Sequence, residues 1–444
     1  MPTHRVVIIG ASTTGLFAAA AAAGSGRSVT VLDRDDLPSD PVARPGVPQG
    51  RQPHVFLHRG LLAAEQLLPG FRDDLLAVGA VAFDTADMAW LGEQGWANRT
   101  GRSFEVLSTS RPLLETTLRR RVVELPGVQI EGGRPVVGLD AMGTHWTVQT
   151  ADGGDFSADL VIDTSGRNSR IAAWLGNKLA GPVRTTEIDA RVGYATRRYR
   201  GDPRIGSIPG VLIASTPTTP RGGLAISVED GHWLIAALGV GDDRPPRDLA
   251  GFEAFLARLR DPALARVAQR LEPVSDVMVH RQTANRRRHY DERDDWPDGI
   301  VILGDAFCAF NPVYGQGIAV GACEAVLLRD AITAGMKPGA ARRLLRQFAK
   351  LVALPWSIAT ATDLQYPTCQ QNPTRLGALQ DNWAKQLEKL SVHGNARAAF
   401  ALSSVYHLMA PPHRLLHPTL IRASITGGLR GYGPANPRPA ALPE

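Results

Sequence analysis

The sequence predicts an α/β protein that combines a parallel-sheet domain, an inserted antiparallel-sheet domain and a C-terminal helical region. The near-continuous apolar run RVVIIG leads through a glycine turn and an alanine-rich helix into SVTVLDRD, which makes a βαβ unit. The middle third alternates apolar and polar residues, as strands of an antiparallel sheet with one covered face do. From about Leu344 the pattern is helical, with breaks expected at the prolines Pro355, Pro367, Pro373 and Pro411.

The composition is that of a folded protein with more than one domain. The chain has 444 residues, of which 44% are hydrophobic and 21% are charged. The net charge is +6, but the arginines are not gathered with aromatic residues, so a nucleic-acid partner is not expected. The run 352–359 is too short, and too interrupted by Pro355, for stable membrane insertion. Three cysteines without a CxxC pair, and the lack of a readable signal peptide, predict a cytoplasmic protein without a metal site.

The first glycine turn has the residue types of a dinucleotide-binding site. Gly10, Ser12 and Gly15 occupy the GxGxxG positions, and the small serine still lets a pyrophosphate approach the backbone. The helix that follows offers free N–H groups to the diphosphate. Asp33 ends the next strand, where an acid that bonds to ribose hydroxyl groups is expected. The alternative interpretation is a tight turn that only packs a helix against a strand.

The elements between the two ends can be placed from their patterns. Residues 35–53 are rich in proline and glycine, and a loop of this length is usually functional or disordered. Helices are expected at 55–68 and 111–125, and a hairpin turn at Glu229–Gly231. Strands are expected around THWTVQT and DLVIDTSG.

These elements predict three regions. The parallel-sheet domain is expected to be discontinuous, over residues 1–80, 102–185 and 276–343. The antiparallel-sheet domain is expected to comprise residues 81–101 and 186–275. The C-terminal helical region is expected at 344–444, with a loose tail after Gly433.

A second motif indicates that the dinucleotide is FAD. A buried strand, GIVILG, ends at Asp305, and a loop with Pro312 and Gly315–Gly317 leads into another alanine-rich helix. A carboxylate at a strand end can hold a ribityl chain, and a loop without side chains can approach a flat ring. FAD is long enough to need two anchoring points, whereas a nicotinamide enzyme would normally complete its site within one sheet. Another βα turn of a large sheet is the alternative.

The motifs together resemble one family. They are GASTTGL, LDRDDLP, RPGVPQGRQPHV, SRPLLE, DLVIDTSGRNSR and GDAFCAFNPVYGQG, and their order and spacing match from the N-terminus to about residue 370. They resemble FAD-dependent monooxygenases of the p-hydroxybenzoate hydroxylase fold. That fold has a Rossmann-like FAD-binding domain with an inserted antiparallel-sheet substrate domain. Within the superfamily, the chain is most similar to epoxidases that oxidise polyene intermediates of polyether natural products.

The resemblance implies the FAD-binding residues. The first glycine turn would contact the pyrophosphate, and Asp33 with Arg34 would hold the adenosine end. Two further arginines would approach the phosphates, Asp305 would bind the ribityl chain or the pyrophosphate, and the Pro312 loop would line the flavin ring. The full set is Gly10, Ser12, Thr13, Thr14, Gly15, Asp33, Arg34, Arg51, Arg111, Asp305, Pro312, Gly315, Gln316 and Gly317. Gln52 stands where the family pattern has histidine, and Glu324 where it more often has aspartate.

The implied activity is that of a single-component monooxygenase. NAD(P)H would reduce FAD, O2 would add at the flavin C4a carbon, and the resulting hydroperoxide would deliver one oxygen atom to a small apolar organic substrate. Epoxidation of an alkene needs no side-chain base, which agrees with the lack of a Ser-His-Asp or Cys-His motif. His54 and Pro312 are the candidates beside the flavin. Tyr194 and Trp233 are candidates for the substrate pocket, although aromatic residues on strands also fill cores.

Other activities use the same FAD cradle. Hydroxylation of an aromatic or terpenoid substrate, flavin-dependent reduction of an alkene, and non-redox cyclisation around a structural FAD are the alternatives. A flavin-dependent halogenase is disfavoured, because it needs an early lysine and a WxWxIP stretch. The first lysine here is Lys178, and no such stretch occurs.

Overall fold

The computed structural model describes residues 4–24, 26–99, 101–202 and 208–444. In chain order, its strands are β1 (Arg5–Ile9), β2 (Ser28–Leu32), β3 (Val55–Phe56), β4 (Val81–Asp84), β5 (Ala89–Leu91), β6 (Glu105–Ser108), β7 (Val128–Glu131), β8 (Val136–Met142), β9 (His145–Thr150), β10 (Asp155–Ala158), β11 (Leu160–Asp163), β12 (Thr185–Ile188), β13 (Val192–Arg200), β14 (Gly210–Ile213), β15 (Arg221–Val228), β16 (His232–Val240), β17 (Glu272–Pro273), β18 (Met278–His280), β19 (Asn285–Arg288), β20 (Ile300–Ile302) and β21 (Cys308–Ala309).

The α-helices of the same ranges connect and cover these strands. In chain order, they are α1 (Thr13–Ala22), α2 (His58–Leu67), α3 (Phe71–Ala77), α4 (Arg111–Val123), α5 (Ile171–Leu175), α6 (Leu249–Ala257), α7 (Ala263–Gln269), α8 (Gly317–Thr333), α9 (Ala340–Asp363), α10 (Arg375–Val392), α11 (Ala396–Tyr406) and α12 (Pro418–Arg430).

A five-stranded parallel sheet joins the N-terminal strands to β20. Its order is β20-β11-β1-β2-β7, and every neighbouring pair is parallel. All residues of β11 and β20 are buried, as expected for strands covered on both faces. Helix α1 packs against α8 and α4. The predicted βαβ unit at the N-terminus and the buried strand before Asp305 are confirmed.

The middle of the chain forms a mostly antiparallel sheet. Its order is β17-β13-β16-β15-β14-β5, with β18 also paired to β13. Strand β5 comes from an early part of the chain and pairs with β14 in parallel. Helices α6 and α7 cover one face, where Trp233, Phe252 and Leu264 share a hydrophobic cluster. The predicted hairpin turn is confirmed, because β15 and β16 are joined at Glu229–Gly231. The mixed α/β fold class predicted from the sequence is therefore the observed one.

The structure corrects one helix start and one helix break. The helix expected from residue 55 begins at His58, because Val55 and Phe56 pair with β6 as a short strand. The break expected at Pro355 does not occur, and Pro355 lies buried inside α9. Proline removes one hydrogen bond of the helix and costs about 3 kcal/mol. The core contacts of Leu344, Phe348 and Val352 on the same helix offset that cost.

The C-terminal tail is held by specific contacts. The sequence predicts a loose tail after Gly433, but Arg438 Nε donates to Asp261 Oδ2 at 2.8 Å. Leu442 is buried in the cluster that contains Trp233. These contacts attach the tail to the antiparallel-sheet domain. Over the described ranges, no helix has both the length and the apolar character that a bilayer crossing requires.

Candidate functional site

The first glycine turn is shaped so that only glycine fits at two positions. Gly10 has a φ of +105°, and a Cβ atom there would lie 2.8 Å from the carbonyl oxygen of Thr164. A Cβ atom on Gly15 would lie 1.8 Å from the carbonyl oxygen of Gly10. Helix α1 begins directly after Ser12, whose side chain does not cap it. The N–H groups of the first helical turn therefore keep no side-chain cap and suit an anion.

Asp33 follows β2 directly, and its carboxylate contacts the glycine turn. Its Oδ2 atom accepts from the backbone N–H of Ala11 at 2.6 Å, and its Oδ1 atom accepts from that of Asp35 at 2.9 Å. Arg44 Nη1 donates to the same Oδ1 atom at 3.1 Å. The carboxylate is thus fixed beside the glycine turn, in the position predicted for a ribose-binding acid.

A buried network of charges lies behind the turn. Glu115 accepts from the hydroxyl of Ser12 at 2.6 Å, from Arg111 Nε at 2.9 Å and from Arg44 Nε at 3.2 Å. Arg111 Nη2 also donates to Ser12 at 2.8 Å and to Thr13 at 2.9 Å. Burial opposes the ionisation of Glu115, but Arg111 and Arg44 outweigh it and hold the pKa of Glu115 below its ordinary value.

Two of the arginines predicted from the sequence lie outside this network. The side chain of Arg34 is 60% exposed and only approaches Asp35, at 3.9 Å. Arg51 is also exposed. Arg44, which sequence reasoning missed, is instead the buried arginine of the loop 35–53. Its Nη2 atom is buried and bonds to none of the residues that the structure describes, so it is a donor that a ligand could use.

The second motif meets the first at the end of β20. A Cβ atom on Gly304 would lie 2.9 Å from the side chain of Thr14, and one on Gly321 would lie 2.5 Å from Thr14 Oγ1. Asp305 remains partly exposed and lies 3.5 Å from Arg167 Nε. Arg167 also donates to the backbone carbonyl of Phe310. The DTSGRNSR segment is thereby tied to Asp305 and to the middle of the second motif at Phe310.

Glu324 supports this turn as an uncharged side chain. It is fully buried, and its Oε2 atom accepts from the backbone N–H of Gly304 at 2.7 Å. Burial raises the pKa of Glu324 to about 8, with a smaller contribution from Asp305. The glutamate that replaces the more common aspartate is therefore mostly protonated at neutral pH and adds no charge beside Asp305.

The Pro312 loop ends in a glutamine that has no partner. Gly315 has a φ of +63°, and Gln316 follows it at the start of α8. Gln316 is 1% exposed, and within the described ranges neither its amide nitrogen nor its amide oxygen forms a hydrogen bond. Buried polar groups are rarely left unpaired. A ligand with both donors and acceptors, such as a flavin ring, would satisfy this side chain.

Asp363 at the end of α9 holds the same loop from the other side. Its carboxylate accepts from Asn285 Nδ2 at 2.6 Å, from Asn311 Nδ2 at 3.1 Å and from the hydroxyl of Tyr314 at 2.9 Å. Burial raises the pKa of Asp363 to about 6, against these hydrogen bonds. The cluster connects the C-terminal helical region to the loop of Pro312, and sequence reasoning missed it.

The cluster makes a prediction about stability and pH. In unfolded chains, aspartate has a pKa of about 3.9, whereas that of Asp363 in the folded chain is about 6. Between these values the folded chain keeps a proton that the unfolded chain has released, so the contribution of this group to stability falls as the pH rises. The difference corresponds to about 3 kcal/mol. Asp363→Asn is expected to remove that pH dependence.

The measurement is the free energy of unfolding of the FAD-free protein in urea, at several pH values from 4 to 6. The matched control is Asp155→Asn, because Asp155 is an exposed aspartate of β10. The control should keep the wild-type slope of stability against pH. The same slope in Asp363→Asn would contradict the prediction.

Of the two residues predicted beside the flavin, His54 is connected to the antiparallel sheet through Gln52. Gln52 is buried, accepts from the hydroxyl of Thr196 at 2.5 Å and donates to the carbonyl of Met278 at 3.3 Å. His54 Nδ1 lies 2.8 Å from the carbonyl of Gln52. Burial, and next the nearby Arg111, lower the pKa of His54 to about 3. A carbonyl can only accept, so Nδ1 carries the proton and the neutral ring offers Nε2 as an acceptor.

The two candidate pocket aromatics lie on opposite faces of the antiparallel sheet. The hydroxyl of Tyr194 donates to Asn311 Oδ1 at 3.2 Å, which brings Tyr194 to the Pro312 loop. Trp233 is fully buried against α6 and α7, and its Nε1 donates to the carbonyl of Asp202. This placement gives Trp233 a core position and no support as a pocket residue.

The face that carries Tyr194 is mostly apolar. Residues directly opposite each other in register share a face of a sheet. The resulting row crosses the sheet through Thr196, Ala236, Leu224, Leu212 and Trp90. The Trp90 ring packs edge-on against that of Tyr406, whose hydroxyl donates to the carbonyl of Tyr314. The row therefore faces the Pro312 loop, and its leucines are only partly buried.

The residues present fit FAD. The glycine turn and the start of α1 provide a cradle for the pyrophosphate, with the unpartnered Nη2 of Arg44 close to Asp33. The unpartnered amide of Gln316 lies at the second anchoring point, about three hundred residues away in the chain. Two sets of unsatisfied donors and acceptors match a ligand with a diphosphate at one end and a polar ring edge at the other.

Comparison with known proteins gives relatives over most of the chain. The family model described as "FAD binding domain" matches residues 3–353. The chain is 32% identical to Protein Rv3254 of Mycobacterium tuberculosis over 395 residues, which cover 84% of this chain and 82% of that protein. It is 26% identical to rifampicin monooxygenase of Streptomyces venezuelae, over 75% of this chain and 63% of that protein. Among solved structures, p-nitrophenol 4-monooxygenase of Pseudomonas putida superposes with a TM-score of 0.62, at 17% identity, over 98% of this chain and 100% of that chain.

Proposed function

The chain belongs to the FAD binding domain family and is an FAD-dependent monooxygenase, and on that premise we propose that it epoxidises an alkene of an apolar natural-product intermediate. NAD(P)H is the proposed reductant and O2 the proposed source of the oxygen atom. Bound FAD supplies the oxygen-activating chemistry. The protein contributes the position of the substrate and the exclusion of water.

The observation that carries this proposal is the apolar row opposite the Pro312 loop. Leu212, Leu224 and Ala236 form an apolar surface without a charged side chain, which we call the wall. Such a surface suits a hydrocarbon chain better than a carboxylate or a phosphate. Thr196 closes one end of the row through Gln52, and Trp90 closes the other through Tyr406. Substrate would lie between this wall and the flavin-lining loop.

The titratable groups near the wall support a reaction that needs no base. The pKa of His54 is about 3, so its ring is too weak a base to take a proton from a phenol. Burial also lowers the pKa of His280, which pairs with Tyr194 on the same face. Asp363 already accepts hydrogen bonds from Asn285, Asn311 and Tyr314. Tyr194 donates its proton to an amide oxygen, which cannot carry it further. Epoxidation uses an electrophilic oxygen atom, so it does not require proton removal from the substrate. Hydroxylation of a phenol would be faster with such a base.

The residues around the two glycine-rich motifs provide the FAD contacts that we propose. Ser12, Asp33 and Arg44 would hold the pyrophosphate and adenosine end, and Arg111 would act through Ser12. The Asp305 carboxylate lies close in space to Gly317, the first residue of α8, where it could accept from a ribityl hydroxyl. The side-chain amide of Gln316 would bond to the ring edge, which the backbone after Gly315 could approach closely.

The test is the product formed from a long-chain polyene under labelled oxygen. The purified protein with NADPH and ¹⁸O₂ is expected to give an epoxide that contains one labelled oxygen atom, and none without O2. Hydrogenation of the alkene without O2 would indicate a reductase, and an isomer of unchanged mass would indicate a cyclase. A labelled hydroxyl group on an aromatic test substrate, with no epoxide from the polyene, would favour the hydroxylase.

A substitution in the wall checks the proposed substrate position. Leu224→Asp is expected to lower kcat/KM for the polyene by at least about tenfold, because a carboxylate would have to lose its hydration beside the substrate. NADPH oxidation without substrate should stay at the wild-type level. The control is Leu379→Asp, since Leu379 is 67% exposed on α10. Equal loss in both variants would contradict the assignment of the wall.

A further inference from the structure

Helix α12 has two apolar faces, and only one of them is packed. Leu420 is buried in a cluster with Leu387 and Leu390 of α10. Ile421, Ile425 and Leu429 follow at four-residue intervals and therefore form one stripe along the helix. They are 39%, 59% and 82% exposed. The packed face already attaches the helix, so the stripe is not needed for that purpose.

The net charge of the chain is concentrated in the same region. Residues 389–443 contain one lysine, five arginines and no aspartate or glutamate. The rest of the chain then has 43 basic and 43 acidic residues, so the whole net charge of +6 comes from this segment. Arg422 is exposed three residues before Ile425, and Arg430 is exposed at the helix end. Neither arginine forms a salt bridge with a residue that the structure describes.

We propose that α12 is a reversible membrane-binding element whose partner is the surface of an anionic phospholipid bilayer. Its exposed aliphatic stripe enters the boundary between head groups and acyl chains, and the flanking arginines bond to lipid phosphates. An acyl boundary accepts aliphatic side chains without a shaped pocket. The stripe contains no aromatic residue of the kind that anchors most protein interfaces.

The charge of α12 favours an anionic membrane over a second copy of the chain as the partner. In a twofold contact through the stripe, each copy would bring Arg422 and Arg430 towards the same arginines of the other copy. No carboxylate lies in residues 389–443 to neutralise them. An anionic surface instead attracts both arginines. The inference does not depend on which substrate the enzyme oxidises.

The test is flotation of the FAD-loaded protein with vesicles of phosphatidylcholine, alone or mixed with phosphatidylglycerol. We expect at least about fivefold more binding to the anionic vesicles at low salt, and a decrease as salt rises. Combined Ile421→Ser, Ile425→Ser and Leu429→Ser should lower binding to anionic vesicles at least about tenfold. Combined Arg422→Gln and Arg430→Gln should reduce both the binding and its dependence on salt.

The matched control is combined Val137→Ser and Met142→Ser, because these two residues of β8 are 48% and 64% exposed. The control should bind anionic vesicles as the wild type does, and FAD content should be equal in all variants. Lack of binding to anionic vesicles would overturn the proposal, and so would unchanged binding after the triple substitution. A dimer in light scattering that the triple substitution converts to monomer would overturn it in favour of self-association.

Discussion

Gly15→Ala is expected to prevent FAD binding and to lower the free energy of unfolding by more than about 3 kcal/mol. Overpacking of a core usually costs about 1 to 3 kcal/mol, because side chains can move aside. Here the added Cβ atom would lie 1.8 Å from the backbone oxygen of Gly10. The Gly10 carbonyl is held in place, because it accepts from the hydroxyl of Thr164 at 2.9 Å and the Gly10 N–H donates to the carbonyl of Leu32 at 2.7 Å. Helix α1 would have to leave β1, and its first turn would leave the cofactor site.

The measurements are flavin absorbance per protein and urea unfolding of the FAD-free protein. Gly428→Ala is the matched control, because no atom lies within 4 Å of a Cβ there and alanine favours the helix by about 1 kcal/mol. The control should keep its stability or gain some. Normal flavin content in Gly15→Ala would show that the turn is packed differently.

Glu115→Ala is expected to lower the free energy of unfolding by about 3 to 5 kcal/mol. The substitution would leave Arg44 and Arg111 buried without their common partner, and the hydroxyl of Ser12 would lose its acceptor. A buried ion pair contributes little net stability, but a buried charge left alone is costly. Arg44 would keep its ion pairs with Asp33 and Asp35. Arg111 would lose the carboxylate with which it pairs in the described structure. FAD affinity should fall as well, because Arg44 and Ser12 shape the pyrophosphate site.

Two further variants separate the effect of the Glu115 charge on stability from that of its side-chain volume. Glu115→Gln keeps the side-chain volume and one acceptor, so we expect a smaller loss of stability than with alanine. Glu124→Ala removes an exposed glutamate at the end of α4 and should change stability by less than about 0.5 kcal/mol. Urea unfolding and FAD titration of the four proteins give both quantities. Wild-type stability in Glu115→Ala would mean that the two arginines find other partners.

The parts of the site that depend on local backbone geometry were predictable from the sequence. Gly10, Gly15 and Gly315 each stand where the backbone or a close approach requires glycine, and such positions leave a spacing pattern. Asp33 and Asp305 were predictable because a strand of a parallel sheet exposes its last residue at one edge.

The parts that depend on tertiary contacts left no local pattern. Arg44 and Glu115 are 71 residues apart, and Asn285 and Asp363 are 78 apart. The proline- and glycine-rich loop 35–53 indicated a functional segment, but nothing in it distinguishes Arg44 from Arg51. Pro355 also predicted a helix break that does not occur, because the packing of the long helix α9 outweighed the preference of proline to end a helix.

The strand order of the parallel sheet has a consequence for how the chain reaches its fold. Strand β11 lies between β1 and β20, and β20 is made more than a hundred residues after β11. At a synthesis rate of about 5 to 20 residues per second, the open edge of β11 waits for roughly 7 to 30 s. During that interval a buried apolar strand has no neighbour on one side, so we expect the yield of folded enzyme to depend on chaperone supply and on temperature during expression. Asp363, which holds the Pro312 loop, is synthesised later still. We therefore expect FAD to bind only after most of the chain has been synthesised.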